Sequence, residues 1–375
     1  MKQGKRLAAL LLTAFMVLSL FAGCGADGRD KTGPAEASLP ADGAETAAAD
    51  DLDPAGADEQ EAAEATPDGG SFRVTAYIRV ESLEDPQSFD ASHLADVTDV
   101  ILFGDAAFDS TGKVSAGSEF TAAAETLREL TKGLAVRVHA ALIGPKAADG
   151  GGGWAQEMES MAREHQKAFD SGVLEENILA FLRQYELDGV SFDYEFPVSD
   201  SAKERFGDFL VSLRDFLGGA YAIGMAVSAW YADYPETAIG AVDAVELMSY
   251  DVWDDDGMHA TLQNAKDDVR KLLGLGYPAE KIDLGIPFYA RPTTHEKVWH
   301  AYRDFYDRID RDGLYYESRT GLTHSFNTRK VVYDKTAWAI GQGLGGVMVW
   351  HYACDVPAEN EYSLFKAIVR AKEEN

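Results

Sequence analysis

Eight short apolar runs rich in β-branched residues recur along this chain, at 72–80, 97–103, 134–143, 189–194, 222–229, 242–250, 282–289 and 346–352. Amphipathic stretches lie between them at 120–130, 154–185 (one or two helices), 202–217 and 262–273. A strand followed by a returning helix, repeated, makes neighbouring strands parallel. Eight such units predict an α/β chain folded as a (β/α)8 TIM barrel over 71–375; barrels of this kind take ~250 residues plus insertions. The rival is a doubly wound open sheet. Its dinucleotide version finds no Gly-x-Gly-x-x-Gly after the first run. The glycine run at 150–153 lacks the Lys-Ser/Thr of a phosphate loop and reads as a flexible βα loop.

The first 70 residues have a different character. Lys2, Lys5 and Arg6 precede an apolar stretch at 7–21, broken only by Thr13 and Ser19. That is too short for a comfortable membrane span, which needs roughly 20 apolar residues. It fits the h-region of a signal peptide at 1–23. The stretch ends Leu20-Phe21-Ala22-Gly23-Cys24, which resembles the lipobox of bacterial lipoproteins and implies an acylated Cys24 as the mature N-terminus. Phe21 stands where leucine is commoner. Residues 24–70 carry 13 acids against Arg29 and Lys31 and no aromatic residue. Such a segment buries too little surface to offset its ordering entropy, and like charges extend it. It is expected to be a disordered tether holding the domain off a membrane, at the bacterial cell surface or, without the lipid, secreted. The whole chain has a net charge of -29, which argues against nucleic acid and against anionic lipid surfaces as partners. With Cys24 and Cys354 as its two cysteines, it has neither a disulfide framework nor a cysteine-rich metal site. A monomer is expected, with membrane contact through the lipid alone.

In a barrel of this type the chemistry sits at the C-terminal ends of the strands. The fourth run carries Asp188-Gly189-Val190-Ser191-Phe192-Asp193-Tyr194-Glu195-Phe196-Pro197. Alternate residues of a strand share a face. Val190, Phe192 and Tyr194 can therefore pack on the outer helices, while Ser191, Asp193 and Glu195 point into the barrel. Two neighbouring carboxyls in a confined site push one pKa upward, and a carboxylic acid that stays protonated is what a general acid requires. The same pattern also fits a solvated acidic strand end or an ion pair with Arg291.

Asp-Gly-x-Ser-x-Asp-x-Glu resembles the Asp-Gly-x-Asp-x-Asp-x-Glu signature of glycoside hydrolase family 18, the family of chitinases and endo-β-N-acetylglucosaminidases. Three further segments agree in order and strand number. Met248-Ser249-Tyr250-Asp251 ends the sixth run, Gly285-Ile286-Pro287-Phe288-Tyr289-Ala290-Arg291 the seventh, and Gly345-Gly346-Val347-Met348-Val349-Trp350 the eighth. Tyr77 on the first run sits where the family often has an aromatic.

The resemblance implies hydrolysis of β-1,4-linked N-acetylglucosamine oligosaccharides, most simply chitin oligomers, with retention and substrate assistance. It implies Glu195 as acid and base, Asp193 orienting the acetamido N–H, and Tyr250 holding the acetamido carbonyl. Trp350 forms the floor under the sugar; Asp251, Tyr289, Arg291, Tyr77 and Met248 are binding residues. No metal and no cofactor is called for. Ser191 replaces the family's middle aspartate, which helps the next acid cycle its proton, and this departure is expected to alter rate or pH profile. The family's Ser-x-Gly-Gly is absent from the third run; His139 there reads as a hydrogen-bonded core histidine. The aromatic-rich region at 293–344 is short for the insertion of processive chitinases and reads as a reduced one. Three alternatives remain open: an endo-β-N-acetylglucosaminidase on N-glycans, a cell-wall or spore glycan hydrolase, and a sugar-binding lectin without turnover.

Overall fold

The computed structural model describes residues 71–85, 89–148, 153–308 and 313–375. The expected leader, Cys24 and the expected tether lie outside the described residues, as do 150–152 of the glycine run. In chain order the strands are β1 (Arg73–Arg79), β2 (Asp99–Phe103), β3 (Ala106–Phe108), β4 (Val114–Ala116), β5 (Arg137–Ile143), β6 (Gly189–Asp193) and β7 (Ala222–Val227). They continue with β8 (Ala244–Leu247), β9 (Ile282–Pro287), β10 (Tyr289–Pro292), β11 (His300–Ala301), β12 (Leu314–Glu317), β13 (Leu322–Ser325) and β14 (Gly346–Trp350).

Eight of these, β1, β2, β5, β6, β7, β8, β9 and β14, pair in that order, all parallel, and β14 closes back on β1. This is the expected (β/α)8 barrel. The helices are α1 (Ser118–Leu130), α2 (Trp154–Phe169), α3 (Leu174–Tyr185), α4 (Asp200–Leu217), α5 (Glu236–Ala241), α6 (Leu262–Gly274), α7 (Arg329–Gly341) and α8 (Leu364–Glu374). In the described part of the β1–β2 connection there is a 3₁₀ turn, Val80–Leu83, and no α-helix. The stretch 154–185 is two helices: the chain turns between them at Gly172, whose φ of 71° suits glycine. The start of α4 is fixed by Ser199, whose hydroxyl accepts from the Ala202 N–H. That of α6 is fixed by a capping box of Thr261 and Asn264.

The outward residues of β6 pack on the helical layer as alternation requires. Phe192 meets Phe206 and Phe209 of α4, and Tyr194 stacks on His165 of α2 with ring centroids 3.8 Å apart. Between β9 and α7 the chain builds a separate antiparallel sheet in the order β11-β10-β13-β12. Phe305 stacks on Tyr315 and abuts Tyr302 and Phe326. Four aromatics of the 293–344 region therefore form the small core that holds this sheet against the barrel rim.

Candidate active site

Asp193 is the last residue of β6, and Glu195 follows two residues later, so both emerge at the C-terminal mouth of the barrel. They line one cleft with Tyr77, Phe103, Met248, Tyr250, Asp251, Tyr289, Arg291, Trp299 and Trp350. All nine residues expected from the sequence at this mouth are thus brought together. Phe103, Trp299, Arg79, Phe196, Ala226 and Ser228 join them without having been anticipated. Phe103 ends the second run, and the strand-end rule applied there points to it. Trp299 comes from the loop before β11, where no periodicity marks it; its ring lies 5.8 Å from that of Tyr289.

Asp193 and Glu195 shift one another's proton affinity. Burial raises both, and Glu195 further, because it also faces the charge of Asp193 and, beyond it, Asp251. Glu195 therefore keeps its proton to higher pH than Asp193, and its Oε2 is buried without a hydrogen-bond partner. The alternative ion pair with Arg291 does not form. Arg291 instead grips Asp251, with Nε on Oδ1 and Nη2 on Oδ2, each at 2.7 Å. Tyr289 donates to the same carboxylate at 2.9 Å. Burial raises the Asp251 carboxyl, but the His259 ring beside it and the Arg291 guanidinium outweigh burial and hold it far below the usual carboxylate range. His259 accepts the Asp251 backbone N–H at 2.9 Å, and burial keeps its ring neutral.

Tyr250 reaches the cleft because Gly285 stands opposite: a Cβ there would sit 3.0 Å from the tyrosine ring. Burial and the neighbouring acids push the Tyr250 hydroxyl well above its usual range, so it stays a donor. Trp350 ends β14 and packs on Tyr77 and Phe103, with centroids 5.3 and 5.0 Å away. Phe103 meets Trp350 edge-on and Tyr77 is tilted against it, so the aromatics form an apolar wall beside an acid. Among residues the sequence reading passed over, Glu246 of β8 and Asp283 of β9 are buried inside the barrel. His139 is a buried partner of Asp99 at 2.8 Å, and Asp99 is lowered to about 2 mainly by that bond against its burial.

The profile described as glycosyl hydrolases family 18 matches residues 95–355. The chain belongs to that family. Over 256 residues it is 23% identical to Endochitinase 1 of Metarhizium robertsii, covering 54% of this chain and 60% of the endochitinase. Its structure is similar to the GH18 chitinase ChiB of Flavobacterium johnsoniae, with a TM-score of 0.63, 20% identity, and 82% and 95% of the two chains covered. It is equally similar in fold to a chitinase-like agglutinin of Robinia pseudoacacia, with a TM-score of 0.61, 20% identity, and 80% and 99% covered.

Proposed function

We propose that this family 18 domain hydrolyses the glycosidic bond of an N-acetylglucosamine residue, with the acetamido group of the substrate as nucleophile. One observation carries the reading. The cleft holds a proton-bearing acid, Glu195, while its remaining carboxylate off β6, Asp251, is locked to Arg291. An acid without a free enzyme nucleophile suits a substrate that brings its own. In this mechanism Glu195 gives its proton to the leaving oxygen as the acetamido oxygen closes on the anomeric carbon. Asp193 holds the acetamido N–H and balances the positive charge of the ring that forms, and Tyr250 aims the acetamido carbonyl. Glu195, now a carboxylate, takes a proton from the water that reopens the ring. Trp350 stacks under the sugar, and the aromatic wall favours β-1,4-linked N-acetylglucosamine oligomers such as chitin fragments. The test is digestion of chitooligosaccharides beside cellooligosaccharides of equal length. The acetylated series is cleaved and the 2-hydroxyl series is not. Saturable binding with no cleavage of any acetylated glycan favours a lectin instead.

We further infer that the domain lies outside the cytoplasm, held by lipid on Cys24. The motivation is the apolar stretch ending at that cysteine and the acidic segment after it; stable anchoring takes more than one acyl chain. Wild type partitions with the membrane fraction and Cys24→Ala does not. Equal release of both into the medium sinks the idea.

A further inference from the structure

Position 191 lacks the carboxyl that the family signature has there, yet a carboxyl reaches it from another strand. The Ser191 hydroxyl donates to Oε2 of Glu246 on β8 at 3.0 Å, and both side chains are buried. To make that contact Glu246 crosses over β7. It passes where Gly224 has no side chain: a Cβ at 224 would lie 2.4 Å from Glu246 Oε1 and 3.2 Å from the Ser191 Cβ. Above them the Tyr77 hydroxyl feels the charges of both Glu246 and Asp193. Ser191 approaches it closely enough to affect its acidity, but no contact of hydrogen-bond geometry fixes it. Ser191 and Glu246 belong to a second cavity lined by strand beginnings, with Arg73, Asp99, Arg137 and His139, on the side away from the substrate cleft.

We propose that Glu246 is a positioning residue for the reaction: it supplies from β8 the buried acid that β6 lacks at 191, and by staying uncharged it keeps the negative charge of this layer on Asp193. The proposal rests on the hydrolase reading above. The groups facing Glu246 are Arg73 and Tyr77 of β1, Asp283 of β9, Ser191 of β6 and Tyr250 after β8. Asp283 is already neutralised by Arg73 at 2.6 Å and by the Thr75 hydroxyl at 3.0 Å. Arg73 is thereby committed, and among the described residues Glu246 has no ion pair of its own. Burial, with the Asp283 charge adding to it, raises the Glu246 carboxyl to about 8. Between about 6, to which burial raises Asp193, and that pH the layer holds one negative charge, on Asp193, where the acetamido N–H and the developing ring charge need it. As pH rises through it, a second charge appears beneath Asp193. The Tyr77 and Tyr250 hydroxyls, which face Glu246 as well as Asp193, then meet two carboxylates instead of one, and their hold on Asp193 and on the acetamido group is weakened. The cavity at the strand beginnings, where Arg137 is half exposed, lets Glu246 exchange its proton with water without crossing the substrate site.

The test uses the full chain. Glutamine keeps the shape and the acceptor for Ser191 but cannot ionise. Glu246→Gln is expected to match wild-type kcat within about twofold below pH 7 and to lose the part of the decline near pH 8, so that it exceeds wild type about threefold or more at pH 9. Ser191→Asp/Glu246→Gln, which returns the carboxyl to β6, is expected to regain the decline. Superimposable pH profiles of wild type and Glu246→Gln, with both folded by circular dichroism, overturn the proposal. A second readout needs no turnover. The infrared difference between wild type and Glu246→Gln is expected to hold a carboxylic-acid carbonyl band at pH 6 that fades as pH rises past about 8. If wild type cleaves chitooligosaccharides and that band is missing, the assignment of Glu246 is wrong and the hydrolase reading stands. If the band is present and wild type cleaves no acetylated glycan, the hydrolase reading is wrong and the protonated Glu246 stands.

Discussion

Glu195→Gln lowers kcat on chitooligosaccharides by about 10²–10⁴-fold, the contribution of a positioned general acid, and leaves sugar binding intact. The amide fills the same space and can still donate to Asp193, so the fold and the aromatic wall stay as they are. What it cannot do is release a proton to the departing sugar oxygen. The raised carboxyl of Glu195 sets the sign of the pH dependence. Activity that needs the protonated acid persists through neutral pH and falls as pH rises through its pKa; the variant loses that limb and keeps only the part of the decline near pH 8 that belongs to Glu246. The check is steady-state kinetics across pH, with oligosaccharide affinity measured by calorimetry. A variant turning over at the wild-type rate removes Glu195 from the acid role.

Arg291→Ala unfolds more easily by about 3–5 kcal/mol, the usual cost of stranding one partner of a buried ion pair. Its side chain is 3% exposed and that of Asp251 16%. Removing the guanidinium leaves Asp251 with the Tyr289 hydroxyl and the neighbouring His259 ring, and with no permanent cation against it. The pH dependence follows from the lowered carboxyl. Wild-type stability from this pair is present above the unfolded aspartate pKa and is lost as pH falls through the lower folded value. The gap between wild type and variant is therefore widest at neutral pH and narrows in acid. Asp251→Asn/Arg291→Ala, which strands no charge, recovers part of the loss. Urea denaturation at pH 7 and in acid measures all of this. A loss under about 1 kcal/mol at pH 7 means that solvent, not Arg291, carries the Asp251 charge.

Much of this was readable from residue spacing, and the failures have identifiable causes. The barrel strands were legible because strands buried on both faces read as continuous apolar runs. Asp193 and Glu195 stood out because they interrupt such a run on one face. Glu246 interrupts its run in the same way, between Val245 and Leu247, and the same reasoning could have found it. No motif residue flanks it closely enough on β8 to mark it as part of a site. Helix α7 escaped for another reason. Its buried positions are Val332, Lys335, Thr336 and Ala339, which keep helical spacing but include two polar residues, so the apolar stripe disappears. Lys335 is buried with its ammonium on the Ala260 carbonyl at 2.7 Å, an arrangement that only tertiary contacts disclose. The pairing of Arg291 with Asp251 rather than with the acids of β6 depends on where β10 leaves the barrel, which local pattern does not encode.

The central claim is that the substrate's acetamido group, and not a side chain, attacks the anomeric carbon. Proton NMR of the first products of the oligosaccharide digestion tests it most directly. Attack from within the substrate blocks one face of the sugar, so water enters from the other and the new reducing end keeps the β configuration. The account predicts early β-anomer signal from the chitooligosaccharide and none from its cello counterpart. Early release of the α anomer, or comparable cleavage of the cello series, contradicts it.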